Sequence, residues 1–575
     1  MGEAVHEVTV RDSGGLLRAV PALTVGVFLL PIAAGLAGTV LPAFGYLPAI
    51  GGDALGLEGF RRLVAYPGFA TSIAVTVGTG VAASLLAVAI ALALAAYAHG
   101  RPWQRRLSAW LAPVLATPHS ALAIGLAFLL APSGWIARLV SPWLTGWTRP
   151  PDVATVGDPA GVALVLGLLV KEVPYLVLMI AGALNQVPAR EHVVVARSLG
   201  YSRVEAWVKV VLPQVYPQIR LPVYAVIAFS LSVVDVALIL GPTNPPTLAV
   251  LAVRWFTDAD IGFYFQAAAA ATLLLALVVA AIAGAYGLER IAGRAGRRWI
   301  ARGARDGALA AGAGVAAAVF FALFAAAVAA LVGMLLWSFA GQWRFPDALP
   351  QAWSLANWMR RLDGLAGPTL TTLAVGLLAT AIALVLVIGC LENERRSRHR
   401  AGPGALWLLY LPLLVPQVAF LFGAQVLLVR AGFDGALAAV VWAHLVFVLP
   451  YLFLSLADPW RAFDSRYTRS AASLGASPAR VLLAVKLPIL LKPVLIACAV
   501  AFAVSVGQYL ATLFAGNGRI ATLTTEAVTL AAGADRRVIG AYAVAQAAFP
   551  LLAYVAAVAI PALLYAHRRG LGERG

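Results

Sequence analysis

Long apolar stretches separated by short polar loops run along the whole chain. A membrane-spanning helix needs about 20 consecutive, mostly apolar residues, and twelve stretches meet this requirement. They predict helices at 19–44, 70–97, 108–131, 160–184, 221–241, 263–287, 307–340, 369–391, 404–429, 435–457, 493–515 and 538–566. The pattern therefore predicts an all-α membrane protein with about twelve transmembrane helices.

Composition supports a location in the lipid bilayer. Of the 575 residues, 62% are hydrophobic and 12% are charged, against roughly 45–50% and about 25% in soluble domains. In a soluble protein the net charge of +17 would suggest a nucleic-acid partner, but here 29 of the 42 Lys and Arg residues fall in the termini and alternate loops. Because such loops stay in the cytoplasm, we expect a bacterial cytoplasmic (inner) membrane protein with both termini cytoplasmic.

The second half of the chain repeats the first. Segment 196–200 reads Ala-Arg-Ser-Leu-Gly and segment 471–475 reads Ala-Ala-Ser-Leu-Gly, and a Leu-Pro pair ends 13 residues after each glycine. Six predicted helices per half, an even number, place the two repeats in parallel. We therefore predict one domain at 1–288 with a long inner loop at 185–220, a basic cytoplasmic linker at 289–306, and a second domain at 307–575 with its loop at 458–492.

Each long inner loop is predicted to fold as a helix, a glycine turn and a second short helix. Gly200 and Gly475 suit a left-handed helix exit, and Ser202 and Ser477 suit the next N-cap, with Pro478 at the first helical position. The short helix presents an apolar side in both copies. A docking element for a two-fold partner is favoured over an amphipathic connector lying on the bilayer, because the break and spacing recur.

These two loops resemble the "EAA" loop of ATP-binding-cassette (ABC) importer permeases. The whole chain is similar to two such domains fused head to tail, as in ferric-iron and thiamine permeases, with segments closer to the YnjC-like branch. The resemblance implies a type I importer fold, two copies of an ABC ATPase at the loops, and an extracytoplasmic solute-binding protein. Its coupling residues would be Ala196, Gly200, Ser202, Trp207, Ala471, Gly475, Ser477 and Leu482.

The chain departs from this family at the motif's glutamate. Counted back from each glycine, the Glu-Ala-Ala positions fall on 194–196 and 469–471, where only the second alanine is present in each half. Glu191 lies one turn earlier.

Nothing in the sequence indicates a nucleotide site or an enzyme. A P-loop needs Gly-Lys followed by Ser or Thr, and no lysine of this chain follows a glycine. No metal-ligand cluster or bound cofactor is predicted, so ATP would be used by the partner subunit. The predicted function is the permease subunit of an importer that works by alternating access; the alternative is an ion-coupled secondary transporter with parallel repeats.

Few polar groups fall inside the predicted helices, and these are candidates for the pathway or gate. Asp235 aligns with Gln508 in the two fifth helices, and the two would face each other across the pseudo-twofold axis. Lys171 and Glu172 lie in the fourth helix of the first half only. For all four, a role in the path and a role in hydrogen bonding between helices stay open, as does the choice among iron, thiamine and another small solute.

Overall fold

The fold consists of helices. The computed structural model describes residues 15–565 except 304, 306, 308, 360–361, 398–401 and 534, and it contains no β-strand in those ranges. The first half comprises α1 (Gly15–Ala43), α2 (Glu58–Ala65), α3 (Phe69–Ala98), α4 (Gln104–Ala116), α5 (His119–Leu130), α6 (Trp135–Leu139), α7 (Val162–Leu184), α8 (Ala189–Ser198), α9 (Arg203–Ala206), α10 (Leu212–Ser232), α11 (Asp235–Leu240), α12 (Leu248–Phe256) and α13 (Phe263–Ala301).

The second half follows the same course. It comprises α14 (Leu309–Phe339), α15 (Ala356–Met359), α16 (Leu362–Ser397), α17 (Pro403–Leu414), α18 (Val418–Arg430), α19 (Leu437–Arg461), α20 (Ser465–Ser473), α21 (Pro478–Val481), α22 (Leu487–Ile489), α23 (Leu491–Val506), α24 (Leu510–Gly516), α25 (Leu523–Ala531) and α26 (Arg536–Leu564). Helix α6 has no counterpart, and α22 with α23 stands where α10 stands in the first half.

Equivalent hydrogen bonds show that the repeat extends to local contacts. The hydroxyl of Thr76 on α3 accepts the backbone N–H of Leu248 at 2.8 Å. In the second half, Thr372 on α16 accepts the backbone N–H of Leu523 at 2.9 Å. Each bond fastens the first turn of α12 or α25 to the second long helix of its own half, so the two halves have the same internal arrangement.

The first helix of each half packs against the other half. Helix α1 lies on α18, where Gly38 and Gly423 meet so closely that neither site has room for a Cβ atom. Helix α14 lies on α5, where a Cβ on Gly125 would be 2.6 Å from the carbonyl oxygen of Ala330. Because each half completes its packing with a helix of the other, the halves form one interlocked unit.

The all-α membrane fold is confirmed, and the exact count of twelve spanning helices is not confirmed. Nine described helices are long and apolar enough to cross a bilayer, and eleven if two bent pairs each count as one span. The stretch predicted at 221–241 accounts for the difference. It forms the end of α10 and the separate α11, and the earlier turns of α10 carry Gln214, Gln218 and Arg220.

Candidate functional site

The first inner loop joins α8 to α10 through a glycine turn and a short capped helix. Gly200 has φ of +92°, a left-handed conformation that glycine adopts without strain. The Ser202 hydroxyl accepts the backbone N–H of Glu205 at 3.3 Å, and the Glu205 carboxylate accepts the backbone N–H of Ser202 at 3.1 Å. This capping box fixes the start of α9 relative to the turn.

The second inner loop repeats this backbone course with different side chains. Gly475 has φ of +79°. The Ser477 hydroxyl accepts the backbone N–H of Arg480 at 3.3 Å, and Pro478 occupies the first helical position of α21. The predicted glycine turns and serine caps are therefore confirmed in both halves as conformations. The side chain at position 480 is arginine rather than glutamate, so it cannot complete a capping box.

Both loops then contain a π-helical turn, at Trp207–Val211 and at Leu482–Lys486. Such turns are rare and occur often at functional sites. In the first loop the turn leads into α10. In the second, Lys486 pairs with the buried Glu392 of α16, whose carboxylate also accepts the indole N–H of Trp460 at 3.2 Å. The chain then bends by 81° before α23.

The two loops differ most in exposure. In the first, Ala196 and Trp207 are 5% and 0% exposed, and α9 is buried. This corrects the expectation of a surface helix in both halves. In the first half the indole of Trp207, one of the predicted coupling residues, is buried inside the protein. Gly200 is exposed and Ser202 is half-buried.

The second loop matches the expectation of a surface element. Helix α20 has no buried residue, and Gly475 and Ser477 are exposed, while Ala471 and Leu482 are half-buried. Apolar side chains are also exposed on both loops. Leu199 and Leu474, which occupy equivalent positions before the glycines, are 57% and 87% exposed.

In the interior, Lys171 closes the end of a broken helix. Its ammonium donates hydrogen bonds to the carbonyl oxygens of Val114 and Leu115, both at 3.1 Å, and Thr117, at 2.6 Å. These carbonyls belong to the last turn of α4 and the break before α5, where backbone acceptors have no helical partner. The Lys171 ammonium is therefore hydrogen-bonded to backbone carbonyls within the first half.

Glu172 points to a different partner. Its carboxylate lies 3.7 Å from Nε2 of His119, and the side chains of Glu172 and His119 are 7% and 37% exposed. The His119 ring also packs on Phe229, with ring centroids 4.8 Å apart. These two consecutive residues thus have different partners. Lys171 binds the end of α4, and Glu172 lies near His119, the first residue of α5.

Asp235 and Gln508 occupy equivalent breaks in the fifth helical segment of each half. Asp235 begins α11 after the interruption at 233–234, and Gln508 lies between α23 and α24. Both residues are half-buried, and the side-chain oxygen of Gln508 has no hydrogen-bond partner among the described residues. Asp235 interacts electrostatically with His119 and with Tyr509 of the other half. Asp235 of the first half therefore lies within electrostatic range of Tyr509 in the second half.

Two tyrosines, one from each half, interact electrostatically with Glu172. Tyr175 of α7 and Tyr451 of α19 come from the repeated Pro-Tyr-Leu motif and interact electrostatically with each other, with Glu172 and with Tyr410. Irregular backbone at membrane depth is found where it is buried in protein or lines a cavity. The breaks, the polar groups and the tyrosines together form an interface region of mixed polarity between the halves.

Comparison with known proteins identifies the family. No family model matches the chain. The chain is 36% identical over 474 residues to the inner membrane ABC transporter permease protein YnjC of Escherichia coli K12, which covers 82% of this chain and 84% of that protein. It is also 38% identical over 167 residues to the molybdenum transport system permease protein ModB of Mycobacterium bovis, which covers 27% of this chain and 60% of that protein.

The chain belongs to the family of inner membrane ABC transporter permeases. A shorter match supports this assignment: the putative 2-aminoethylphosphonate transport system permease protein PhnV of Salmonella typhimurium is 28% identical over 206 residues, 35% of this chain and 76% of that protein. The protein is therefore a multi-pass, all-α permease of an ABC transport system.

Sequence reasoning missed several residues of this permease. Tyr175 and Tyr451 belong to a repeated motif that the sequence shows. Nothing in the pattern indicated that these two tyrosines interact electrostatically with each other. The spacing of Ser202 and Glu205 matches a capping box, but no motif indicates the bond from Glu205 to Gly307, 102 residues away. Glu392 has no motif, because its partner Lys486 is 94 residues away. Among the described residues, no group of three or more His, Cys, Asp and Glu side chains could hold a metal ion.

Proposed function

We propose that this permease is the membrane subunit of an ABC importer that moves a small solute inward by alternating access. One observation supports it above the others. Two loops with the same glycine turn, serine cap and π-helical turn occur at equivalent places in the two halves. A pair of matching loops suits a two-fold partner that drives both halves together.

The partner proposed for these loops is a separate ABC ATPase in two copies, one for each loop. ATP would be hydrolysed there, since the chain has no Gly-Lys-Ser or Gly-Lys-Thr sequence. An extracytoplasmic solute-binding protein would deliver the solute at the opposite face. We also propose both termini in the cytoplasm, from the distribution of Lys and Arg; residues 1–14 and 566–575 lie outside the described ranges.

The proposed path runs between the halves, past Asp235 and Gln508. Their placement at helix breaks supports a role in the path, because broken helices build the solute sites of many transporters. Glu172 and His119 would belong to the same region. The three carbonyl contacts of Lys171 support a structural role for that residue instead.

The solute is proposed only as small and polar. Similar permeases are named for molybdenum, for 2-aminoethylphosphonate and for spermidine/putrescine, so their solutes differ in charge. Ferric iron and thiamine are also candidate solutes, because of the resemblance described above. These six are the solutes that we would test first.

The test is uptake into vesicles of defined composition. The chain is reconstituted with its ATPase, the binding protein is added outside, and each radiolabelled solute is offered with ATP or a non-hydrolysable analogue inside. We expect uptake of one solute only with hydrolysable ATP, unaffected by ionophores that collapse proton and sodium gradients. The chain without its ATPase should hydrolyse no ATP.

Two results would contradict this proposal. Robust ATP turnover by the isolated chain would show that the energy source lies within it. Uptake that continues without ATP and stops with an ionophore would instead establish the ion-coupled secondary transporter.

A further inference from the structure

The linker between the halves folds back onto the first inner loop. Glu205, in α9, is 0% exposed and 102 residues from its linker partner, yet its carboxylate accepts the backbone N–H of Gly307 at 2.8 Å. The other oxygen of the same carboxylate accepts the N–H of Ser202. One buried side chain thus joins the linker to the start of α9.

Three cation–aromatic contacts reinforce this attachment. The Lys209 ammonium lies 4.3 Å from the ring centre of Trp299, near the end of α13, and 4.7 Å from that of Tyr201. The Arg305 guanidinium lies 5.3 Å from the same Tyr201 ring. Such contacts are stronger where water is excluded. Lys209 is only 5% exposed.

The second loop has none of these partners among the described residues. The positions equivalent to Glu205 and Lys209 are Arg480 and Ala484, and both are exposed. Among the residues that the structure describes, the attachment is therefore found only at the first loop, and it explains why α9 is largely buried while α21 lies at the surface.

We propose that Trp299, Arg305 and Gly307 form a brace that positions the first coupling helix, and that Glu205 is the positioning residue that holds it. This inference rests on the proposed function, since it concerns how movement of the ATPase reaches the first half. With the brace in place, α9 and the linker move as one body. ATP-driven movement at the first loop is then transmitted to the bundle without being lost as local bending.

The first arm of the test measures the brace directly in the full-length chain. Limited trypsin digestion is followed at the bonds after Arg302 and Arg305. Glu205→Gln removes one charged acceptor without changing volume, and Trp299→Leu removes the ring without touching α9. We expect Glu205→Gln to speed cleavage at these bonds about tenfold, because the linker loses a charged acceptor. Trp299→Leu should speed it several-fold, because the linker loses the ring that contacts Lys209. Arg480→Gln, at the equivalent place in the second loop, should not change it.

The second arm measures coupling in the reconstituted complex. In Glu205→Gln and Trp299→Leu we expect several-fold less solute moved per ATP hydrolysed, with unchanged binding of the ATPase. Equal cleavage in wild type and both variants, or unchanged coupling once cleavage is faster, would overturn the brace while leaving the proposed function intact. Absence of ATP-driven uptake by the wild-type complex would overturn the proposed function and the coupling role with it.

Discussion

The two inner loops share a backbone and differ in what surrounds it. Both have a left-handed glycine, a serine cap and a π-helical turn. In the first loop the short helix is enclosed, with Trp207 fully buried and Glu205 bound to the linker. In the second the helix is open, and Lys486 joins the end of the loop to the bundle through Glu392.

This difference separates the features that a two-fold partner would need from those that one half needs for itself. The glycine turn and cap occur twice, which fits a partner that presents the same surface to each half. The side chains that fasten each loop to the bundle are different, because the two loops have different neighbours. The two loops therefore share their backbone conformation but not the side chains that fasten them to the bundle.

The interior shows the same relation. Lys171 caps a helix break in the first half, whereas Phe447 stands at the equivalent position in the second. Asp235 and Gln508 occupy equivalent breaks with different charge. A region between the halves can thus keep two-fold backbone symmetry while its polarity is one-sided.

The largest effect is expected at the anchor of the second loop. Glu392→Ala would leave the buried Lys486 ammonium without its partner, and breaking a buried pair costs about 3–5 kcal/mol. The melting temperature of the detergent-solubilised protein, followed by size-exclusion chromatography, should fall well below that of wild type. The double variant Glu392→Leu/Lys486→Met should recover most of the loss. An unchanged melting temperature in Glu392→Ala would show that the second loop is held by other contacts.

The next effect tests whether the shared glycine turns are equivalent. Valine at Gly200 or Gly475 opposes a left-handed conformation by about 1–2 kcal/mol, so the helix that follows should shift. We expect transport to fall several-fold for either variant, with membrane insertion unchanged. Asparagine, which tolerates this conformation, serves as the matched substitution and should retain more transport. Normal transport and ATPase binding in both valine variants would reduce the turns to simple connectors.

A moderate effect is expected where the two halves differ in charge. If Asp235 lines a hydrated gate, Asp235→Asn should preserve folding and change transport or the basal ATPase rate of the complex. Cysteines placed at 235 and 508 should then react with small polar thiol reagents to an extent that depends on nucleotide. Unchanged transport, with both cysteines unreactive in every state, would assign these residues to helix packing.

The smallest effect concerns pH at the first loop. Burial, together with the charges of Arg203 and Arg190, lowers the pKa of His99 below its ordinary value of 6.5. Below about pH 6.5 the unfolded chain therefore binds this proton more readily than the folded chain, and stability decreases as pH falls. His99→Gln should show a flatter decrease between pH 7 and pH 5.5 in the same melting assay. Parallel curves would contradict the burial of a neutral imidazole beside the loop.

The sequence predicts the parts of this structure that depend on local pattern. Apolar length, Gly200, Gly475 and the serine caps all act within a few residues, so the helices and turns follow from composition and spacing. The exact count of twelve spans is not confirmed, because apolar length alone does not show where a helix breaks, as at 233–234.

Contacts between residues far apart in the chain could not be predicted from local pattern. The exchange of α1 and α14 between the halves, the burial of Trp207 and the bond between Glu205 and Gly307 all join residues far apart in the chain. A single sequence has no period or motif that reports such pairs. The environment of Trp207 could not be predicted for this reason, since its apolar character fits a buried position as well as an exposed one.

We propose above that a separate ATPase binds both inner loops and drives transport through them. The direct measurement is site-specific crosslinking from Leu199→Cys and Leu474→Cys, two exposed equivalent positions, after the native Cys390 and Cys498 are replaced by serine. With the ATPase bound, we predict that each cysteine crosslinks to an ATPase subunit and that the double variant captures two subunits per chain. Failure of both positions to crosslink in a complex that still transports with ATP would contradict the account.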